Sequence, residues 1–280
     1  MSNRIASFSE IDNVDDLVKY LNSSYRLRDS DYVYQYTSLS SLIAMLDSER
    51  IHLCNAKYMN DQLEYNNGDK EAWKHLFFTC FMLEDEESIG MWSMYAQPWR
   101  EGVKISIPKN ELKKWVNEIE IVEEVDINSK ELTGRTIRNN DSFATLLSAV
   151  AYTNSERINP KKEDETLCWG SLKNTNFHSL NNYKTLTGYL KDVAWSYEKE
   201  VRLKIKMNIN TSFERIAIKI PEYIINSMII TASPLFEGNL QEELEKRIQK
   251  HFETEKSTFT GKLSLKDMCS DCLIRNEVNK

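Results

Sequence analysis

Apolar and polar residues alternate with a period of two along several short segments of the chain. In residues 198–207, every second position from Val201 to Met207 is apolar, and the intervening positions carry charge. Residues 213–220 alternate in the same way. Because successive side chains of a strand point to opposite faces, both segments are predicted to be strands, and we expect them to pair as a hairpin.

Other segments follow the helical period. Residues 10–25 and 239–252 place apolar side chains three and four positions apart, as amphipathic helices do, and residues 183–195 are also predicted to be helical. Shorter helices are expected at 41–49, 88–96, 108–116 and 221–227. Further strands are expected at 32–38, 50–54, 76–83, 102–108, 119–127 and 228–233, and a strand or helix is expected to end near Tyr152.

These strands and helices follow one another without a regular strand–helix–strand rhythm. We therefore predict an α+β fold with mixed, mostly antiparallel sheets and flanking helices. The 280 residues are expected to form a single domain. It would comprise an N-terminal helical extension (1–28), a core that bears the motifs (32–233), and a C-terminal helix and tail (238–280).

The composition limits the classes of partner. A formal net charge of −7 argues against a permanent duplex-binding surface, which needs a large basic face. The five cysteines are odd in number and widely spread, which is typical of reduced thiols in the cytoplasm. No secretory pattern opens the sequence and no apolar run is long enough for a membrane span, so we predict a cytoplasmic protein.

The strongest candidate site is the segment from Tyr197 to Arg202, YEKEVR. On a strand, Glu198, Glu200 and Arg202 would share one face at intervals of about 7 Å. Two carboxylates beside a guanidinium can hold a sugar hydroxyl or stabilise a developing positive charge. The alternative is a solvent-facing strand whose charges discourage aggregation.

A second polar group lies in NAKYMNDQLE and consists of Asn55, Asn60, Asp61 and Glu64. The spacing of Asp61 and Glu64 suits the start of a helix, so capping explains this group without any function. The alternative is that these residues line a cleft.

A third candidate is the strand that bears Tyr32, Tyr34 and Tyr36, which is followed by Thr37, Ser38 and a helix. Such a tyrosine row is usually packing, but the free N–H groups of a helix N-terminus can receive a phosphate. Either Ser38 or Ser40 can cap that helix.

A fourth candidate is the short helix that carries Trp92 and Tyr95, near Arg100. Core packing accounts for it, although a tyrosine can also stack on a flat ring. The Cys269–Cys272 pair has zinc-like spacing without a second pair, and the four histidines lack ligand spacing, so no metal is expected.

Taken together, these motifs resemble the bacterial family known as domain of unknown function 2971. The resemblance covers residues 32–233 and rests on ordered motifs, of which NAKYMND and W-x-YEKEVR are the most specific. The others are YQYTSLSSLIAML, the Cys80–Phe81 pair, MWSMYA and GVKISI. Many members carry histidine where this chain has Met94.

A further resemblance is to ADP-ribosyltransferase-like folds, and it implies a split sheet and NAD as a substrate. In that superfamily a late glutamate is catalytic and an aromatic residue packs on nicotinamide. Glu200 would be the catalytic glutamate and Glu198 would orient or deprotonate the acceptor. Tyr36, Thr37, Ser38, Tyr95 and Arg202 would contact NAD, and either Arg100 or Arg202 would meet its phosphate. The chain departs from the superfamily at Tyr36 and Gln35, where histidine or arginine is usual.

Two other functions stay open at this stage. One is a non-catalytic phage-defence or toxin–antitoxin component that binds protein or nucleic acid. The other is a magnesium-dependent nuclease that uses Asp61, Glu64, Glu198 and Glu200. A role in phage defence through abortive infection follows from the family resemblance alone.

Overall fold

The computed structural model describes residues 31–59, 70–83, 86–153 and 187–263. The expected helix at 10–25 lies outside the described residues. The described chain divides into two compact units. The first contains residue 31 and residues 51–59, 70–83, 109–153 and 187–219, and the second contains residues 32–50, 86–108 and 220–263. The expectation of a single domain stays a prediction.

The first unit is built around an antiparallel sheet. Its strands are β2 (Arg50–Asn55), β3 (Leu76–Met82), β5 (Ile121–Val125), β6 (Leu132–Arg138), β7 (Phe143–Ala149), β10 (Glu200–Met207) and β11 (Arg215–Lys219). They follow the order β7-β10-β3-β2-β11-β5-β6. Strands β8 (Ala151–Thr153) and β9 (Leu190–Asp192) form a separate parallel pair.

Strand β10 is an interior strand of this sheet, because it pairs with β3 on one side and β7 on the other, both antiparallel. The apolar face of β10 carries Val201, Leu203 and Ile205, all fully buried. The predicted hairpin between β10 and β11 is wrong, since β11 pairs with β5 and β2 instead. Alternation specifies which face of a strand is apolar, but it does not specify the partner strand.

Within the described residues, the first unit has two α-helices. Helix α2 spans Lys70–Lys74 and helix α4 spans Lys109–Glu118. Helix α4 packs against β7 and buries Leu112, Trp115 and Val116. The Trp115 indole N–H donates to the Lys219 carbonyl at 3.1 Å, which ties the helix to β11.

The second unit has a four-stranded sheet in the order β13-β12-β4-β1. Its strands are β1 (Tyr32–Ser38), β4 (Gly102–Pro108), β12 (Ile229–Ala232) and β13 (Glu253–Lys256). Among these four described strands, β12 and β13 pair parallel, and β4 pairs antiparallel with both β1 and β12. Its helices are α1 (Leu39–Ser48), α3 (Ile89–Tyr95), α5 (Glu222–Asn226) and α6 (Leu240–Ile248).

The predicted α+β class with mostly antiparallel sheets is confirmed. The segment 183–195, predicted as a helix, is the main local error within the described chain. Residues 187–189 form a turn, residues 190–192 are strand β9, and Val193–Glu198 is a 3₁₀ helix. Gly188 has a φ of +79°, and Asp192 caps the 3₁₀ helix by accepting the Ala194 N–H at 2.8 Å. Both features interrupt an α-helix.

A buried ionic cluster as the candidate functional site

Three of the four charged side chains on the polar face of β10 are buried and Lys206 is exposed, although alternating charges are typical of a strand that is exposed throughout. Glu200 is 4% exposed, Lys204 is 3% exposed and Arg202 is fully buried. The alternative of a solvent-facing charged strand is therefore wrong. Burying three charged side chains is costly unless each is paired, so the contacts of this face decide its role.

Glu198 does not share that strand face, because it ends the 3₁₀ helix Val193–Glu198. The next residue, Lys199, adopts a left-handed conformation with φ of 44°, and β10 begins only at Glu200. The predicted interval of about 7 Å along one strand is therefore wrong for Glu198. This carboxylate is nevertheless buried and reaches the cluster through a lysine.

Glu200 is held by cations on both of its oxygens. Arg202 binds it in a bidentate manner, with Nε 2.8 Å from Oε1 and Nη2 3.1 Å from Oε2. The Lys191 Nζ lies 3.3 Å from Glu200 Oε2 and 2.5 Å from Glu198 Oε2. Lys191 thus bridges the two glutamates, and two carboxylates face two cations in one buried cluster.

These contacts set the protonation of the cluster. Burial alone would raise the pKa of Glu200, but Arg202 and Lys191 outweigh it and hold that pKa at about 2. Burial alone would lower the pKa of Lys191, but Glu200 and Glu198 raise it above its ordinary value. Glu200 is therefore an ionised carboxylate near neutral pH, suited to stabilising positive charge and unsuited to taking up a proton.

Two further groups surround Glu200. Cys80 lies on β3 opposite Arg202, and its thiol hydrogen-bonds to the Glu200 carboxylate. Burial is the main cause that raises the pKa of this thiol, and the negative charge of Glu200 raises it further. The backbone N–H of Glu200 donates to Tyr152 Oη at 2.8 Å, and burial with the nearby Glu200 charge raises the pKa of Tyr152. Both groups are thus neutral near pH 7.

The aromatic candidates lie in the second unit. The Tyr36 ring packs edge-on against Trp92, with ring centroids 4.8 Å apart, and both side chains are buried. The Trp92 indole N–H donates to the buried Glu87 carboxylate at 3.0 Å. Packing therefore accounts for these two rings within the unit, while Thr37 and Tyr95 are half-buried.

Ser38, rather than Ser40, caps helix α1. Its Oγ accepts the Ser41 N–H at 3.1 Å, so one of the helix N–H groups proposed for phosphate binding already has a partner. Arg100 lies at the surface, where its Nη1 is 2.9 Å from Glu237 Oε1. Their predicted contacts with NAD stay predictions.

Asn55 belongs to the first unit and acts as a cap. Its side chain accepts the Lys57 N–H at 3.1 Å and donates to the Lys74 carbonyl at 3.0 Å. The capping explanation accounts for this residue. Asn60, Asp61 and Glu64 lie outside the described residues.

The site residues predicted from sequence therefore divide between the units. Glu198, Glu200, Arg202 and Asn55 lie in the first unit, and Tyr36, Thr37, Ser38, Trp92, Tyr95 and Arg100 lie in the second. Glu198, Glu200 and Arg202 are brought into one ionic cluster in the first unit, and Tyr36 packs against Trp92 in the second.

The sequence did not predict three members of the cluster as site residues, and these are Lys191, Tyr152 and Cys80. Lys191 fell within a segment predicted as a helix, and Tyr152 marked only the end of an element. One signal was available, because Lys191 is a lone cation seven and nine positions before two glutamates. That spacing acquires meaning only because the 3₁₀ helix Val193–Glu198 lies between Lys191 and β10, an arrangement in which Lys191 contacts both glutamates.

Within the described part of the chain, no three His, Cys, Asp or Glu side chains cluster in a way that could hold a metal ion. No described helix combines the length and apolar character needed to span a membrane.

Part of the chain resembles a known family. Residues 91–203 match the family described as protein of unknown function DUF2971. The resemblance that the motifs indicated is thereby confirmed for this segment, which includes Trp92, Glu198, Glu200 and Arg202. A comparison with curated proteins found no match.

Among solved structures, the chain is similar to DarT of Thermus sp. 2.9. The complexes of that protein with NAD+ and with ADP-ribosylated ssDNA each align at a TM-score of 0.34 with 10% sequence identity. The NAD+ complex covers 82% of this chain and 96% of the DarT chain. A third complex, with carba-NAD+, aligns at a TM-score of 0.33.

Proposed function

We propose that this protein is an enzyme of the ADP-ribosyltransferase type that cleaves the nicotinamide–ribose bond of NAD. The observation that carries the proposal is the Glu200 carboxylate, which is buried at the start of β10 and yet kept ionised by Arg202 and Lys191. A fixed, desolvated negative charge of this kind suits chemistry that develops positive charge.

In the proposed reaction the C–N bond between nicotinamide and ribose breaks, and its electron pair leaves with nicotinamide. The ribose becomes an oxocarbenium-like centre, which Glu200 stabilises by binding the ribose 2′-hydroxyl. An acceptor nucleophile then adds to this centre and loses its proton. Glu198 is proposed to orient the acceptor or take that proton.

The aromatic and basic candidates complete the proposal. Tyr36 and Tyr95 would flank the nicotinamide ring, Thr37 and Ser38 would contact the nucleotide, and Arg202 would meet phosphate. The acceptor would be a protein or a nucleic acid, and the setting would be phage defence or a toxin-type effector in the cytoplasm.

The proposal is tested by incubating the purified protein with NAD, measuring nicotinamide release, and following transfer of labelled ADP-ribose to macromolecules. We expect Glu200→Gln to lower the rate by about 10²–10³-fold per folded molecule, the range for losing one stabilising group. The matched control is Glu124→Gln, which removes a glutamate that is also paired with an arginine on another strand of the same unit.

The control variant should keep the wild-type rate. If the wild-type protein neither consumes NAD nor labels any target, and Glu200→Gln leaves the cellular phenotype intact, the proposal is wrong.

A second candidate is a non-catalytic defence or toxin–antitoxin component that binds protein or nucleic acid. It is favoured by the saturation of Glu200, whose two oxygens are already bound by Arg202 and Lys191. A stable complex that survives the Glu198→Ala, Glu200→Ala double substitution would support this candidate, and loss of the complex would count against it. The magnesium-nuclease hypothesis is weaker, because its two described carboxylates are bound by Lys191 and Arg202.

A further inference from the structure

A single short segment contacts three of the four charged residues on the polar face of β10, Glu200, Arg202 and Lys204. The Gly188 carbonyl accepts from Arg202 Nη1 at 3.2 Å, and the Tyr189 ring lies under Lys204 Nζ, 3.0 Å from the ring centroid. Lys191 Nζ lies 3.3 Å from Glu200 Oε2. Three residues of one segment therefore contact three alternate residues of the strand.

The two faces of β10 are held by different forces. The opposite face is apolar and fully buried, whereas the layer under residues 188–191 consists of charges and one aromatic ring. Charged groups regain hydration when they separate, so parting an ionic layer costs less than exposing an apolar face of similar area. Lifting residues 188–191 would part β9 from β8 but leave the pairings of β10 with β3 and β7 intact.

One buried hydroxyl group on the polar face of the sheet lacks a hydrogen-bond partner among the described residues while residues 188–191 contact β10. Ser148, the β7 residue opposite Arg202, is fully buried, and its Oγ has no hydrogen-bond partner among the described residues. A buried hydroxyl without a partner costs about 1–3 kcal/mol. The closed arrangement thus leaves a polar group beside Arg202 that a polar ligand would satisfy.

We propose that residues 188–191 form a displaceable strap over β10, and that a polar ligand reaches Glu200, Arg202 and Ser148 only when this strap opens locally. The existence of the strap does not depend on the proposed function. The proposed function supplies only the identity of the ligand, which would be NAD.

Cys80 provides a reporter of strap opening that does not depend on activity. It lies on β3 opposite Arg202, and the thiol of this half-buried residue contacts the Glu200 carboxylate, which Lys191 of the strap also contacts. With the other four cysteines changed to serine, alkylation of Cys80 by iodoacetamide can be followed by intact mass. Local opening gives a labelling rate that does not change with urea below the unfolding transition, whereas labelling through global unfolding rises steeply with urea.

Two glycine substitutions form a matched pair for this experiment. Gly188 and Gly134 both have positive φ, at +79° and +83°. A Cβ at Gly188 would lie 2.9 Å from Phe78 Cζ, whereas a Cβ at Gly134 would meet nothing within 4 Å. Gly188→Ala should therefore lift the strap and speed Cys80 labelling at least about tenfold, and Gly134→Ala should leave the rate unchanged.

Lys191→Met provides a second variant that removes one strap contact without backbone strain, and it should also speed labelling. Two results would overturn the proposed strap. One is Cys80 labelling that follows global unfolding in the protein without a strap substitution. The other is an equal labelling rate in that protein, in Gly188→Ala and in Lys191→Met. Protection of Cys80 by NAD in Gly188→Ala would assign NAD to the opened face. Faster labelling without protection would keep the strap and count against NAD as its ligand.

Discussion

At the scale of single residues, Glu200 is the group on which the site depends. Its carboxylate is buried, and Arg202 and Lys191 together make three contacts with its oxygens. Replacing it by glutamine would leave a buried guanidinium and ammonium with one fewer counter-charge. A broken buried pair typically costs 3–5 kcal/mol, so Glu200 is expected to matter for folding as well as for chemistry.

The first prediction concerns the pH dependence of stability. The ordinary pKa of 4.5 for Glu200 falls to about 2 in the folded chain, a difference equivalent to about 3 kcal/mol. Because the folded pKa is the lower one, this stabilisation is present above pH 4.5 and is lost as the pH falls towards 2. About 2 kcal/mol of it should be gone at pH 3.

Urea unfolding of the wild type and of Glu200→Gln at pH 7, 5, 4 and 3 measures this contribution. The wild type should be the more stable at pH 7, and the difference in free energy of unfolding should shrink steadily below pH 5. Glu124→Gln controls for the loss of an ordinary surface pair. A difference between wild type and Glu200→Gln that stays constant from pH 7 to pH 3 would contradict the depressed pKa.

At the scale of secondary-structure elements, Ser38 at the start of helix α1 has two possible roles, helix capping and ligand binding, and substitutions can distinguish them. Ser38 caps this helix through Ser41, although the sequence also suggested it as a contact for NAD. Ser38→Ala should lower the free energy of unfolding by about 1 kcal/mol, whereas Ser38→Asp should retain the cap. Thermal unfolding of the three proteins checks this.

The same pair of substitutions tests the proposed contact with NAD. If the N-terminus of α1 receives a phosphate, the carboxylate of Ser38→Asp repels it, and NAD affinity should fall while stability is kept. If Ser38 is a cap alone, Ser38→Asp should bind NAD as the wild type does. The second result would remove Ser38 from the proposed site.

Strands and helices with a clear period were predictable from sequence, and the partners of the strands were not. The alternation of β10 predicted its extent to within two residues, because period two directly reflects the pleat. Its neighbours β3 and β7 come from distant parts of the chain, so the alternation could not reveal them. The burial of its charged face depends on residues 188–191, whose turn at Gly188 interrupts a segment with helical composition.

At the scale of the whole molecule, the two units are interleaved along the sequence. The chain passes from one unit to the other at residues 31/32, 50/51, 83/84, 108/109 and 219/220, which makes five crossings. Neither unit is therefore a continuous piece of chain. Ordering either unit requires closing loops that contain parts of the other, which couples the folding of the two.

This coupling, together with the predicted single domain, leads to the last prediction. Calorimetry should show one unfolding transition whose calorimetric and van't Hoff enthalpies agree. Glu200→Gln lies in the first unit and Ser38→Ala in the second, so each variant should shift the whole transition. Hydrogen exchange followed on β10 and on β12 should report the same loss of stability in either variant. Two results would show that the units unfold separately and that the chain has two domains. One is two resolved unfolding transitions, and the other is a loss of stability confined to the unit that carries the substitution.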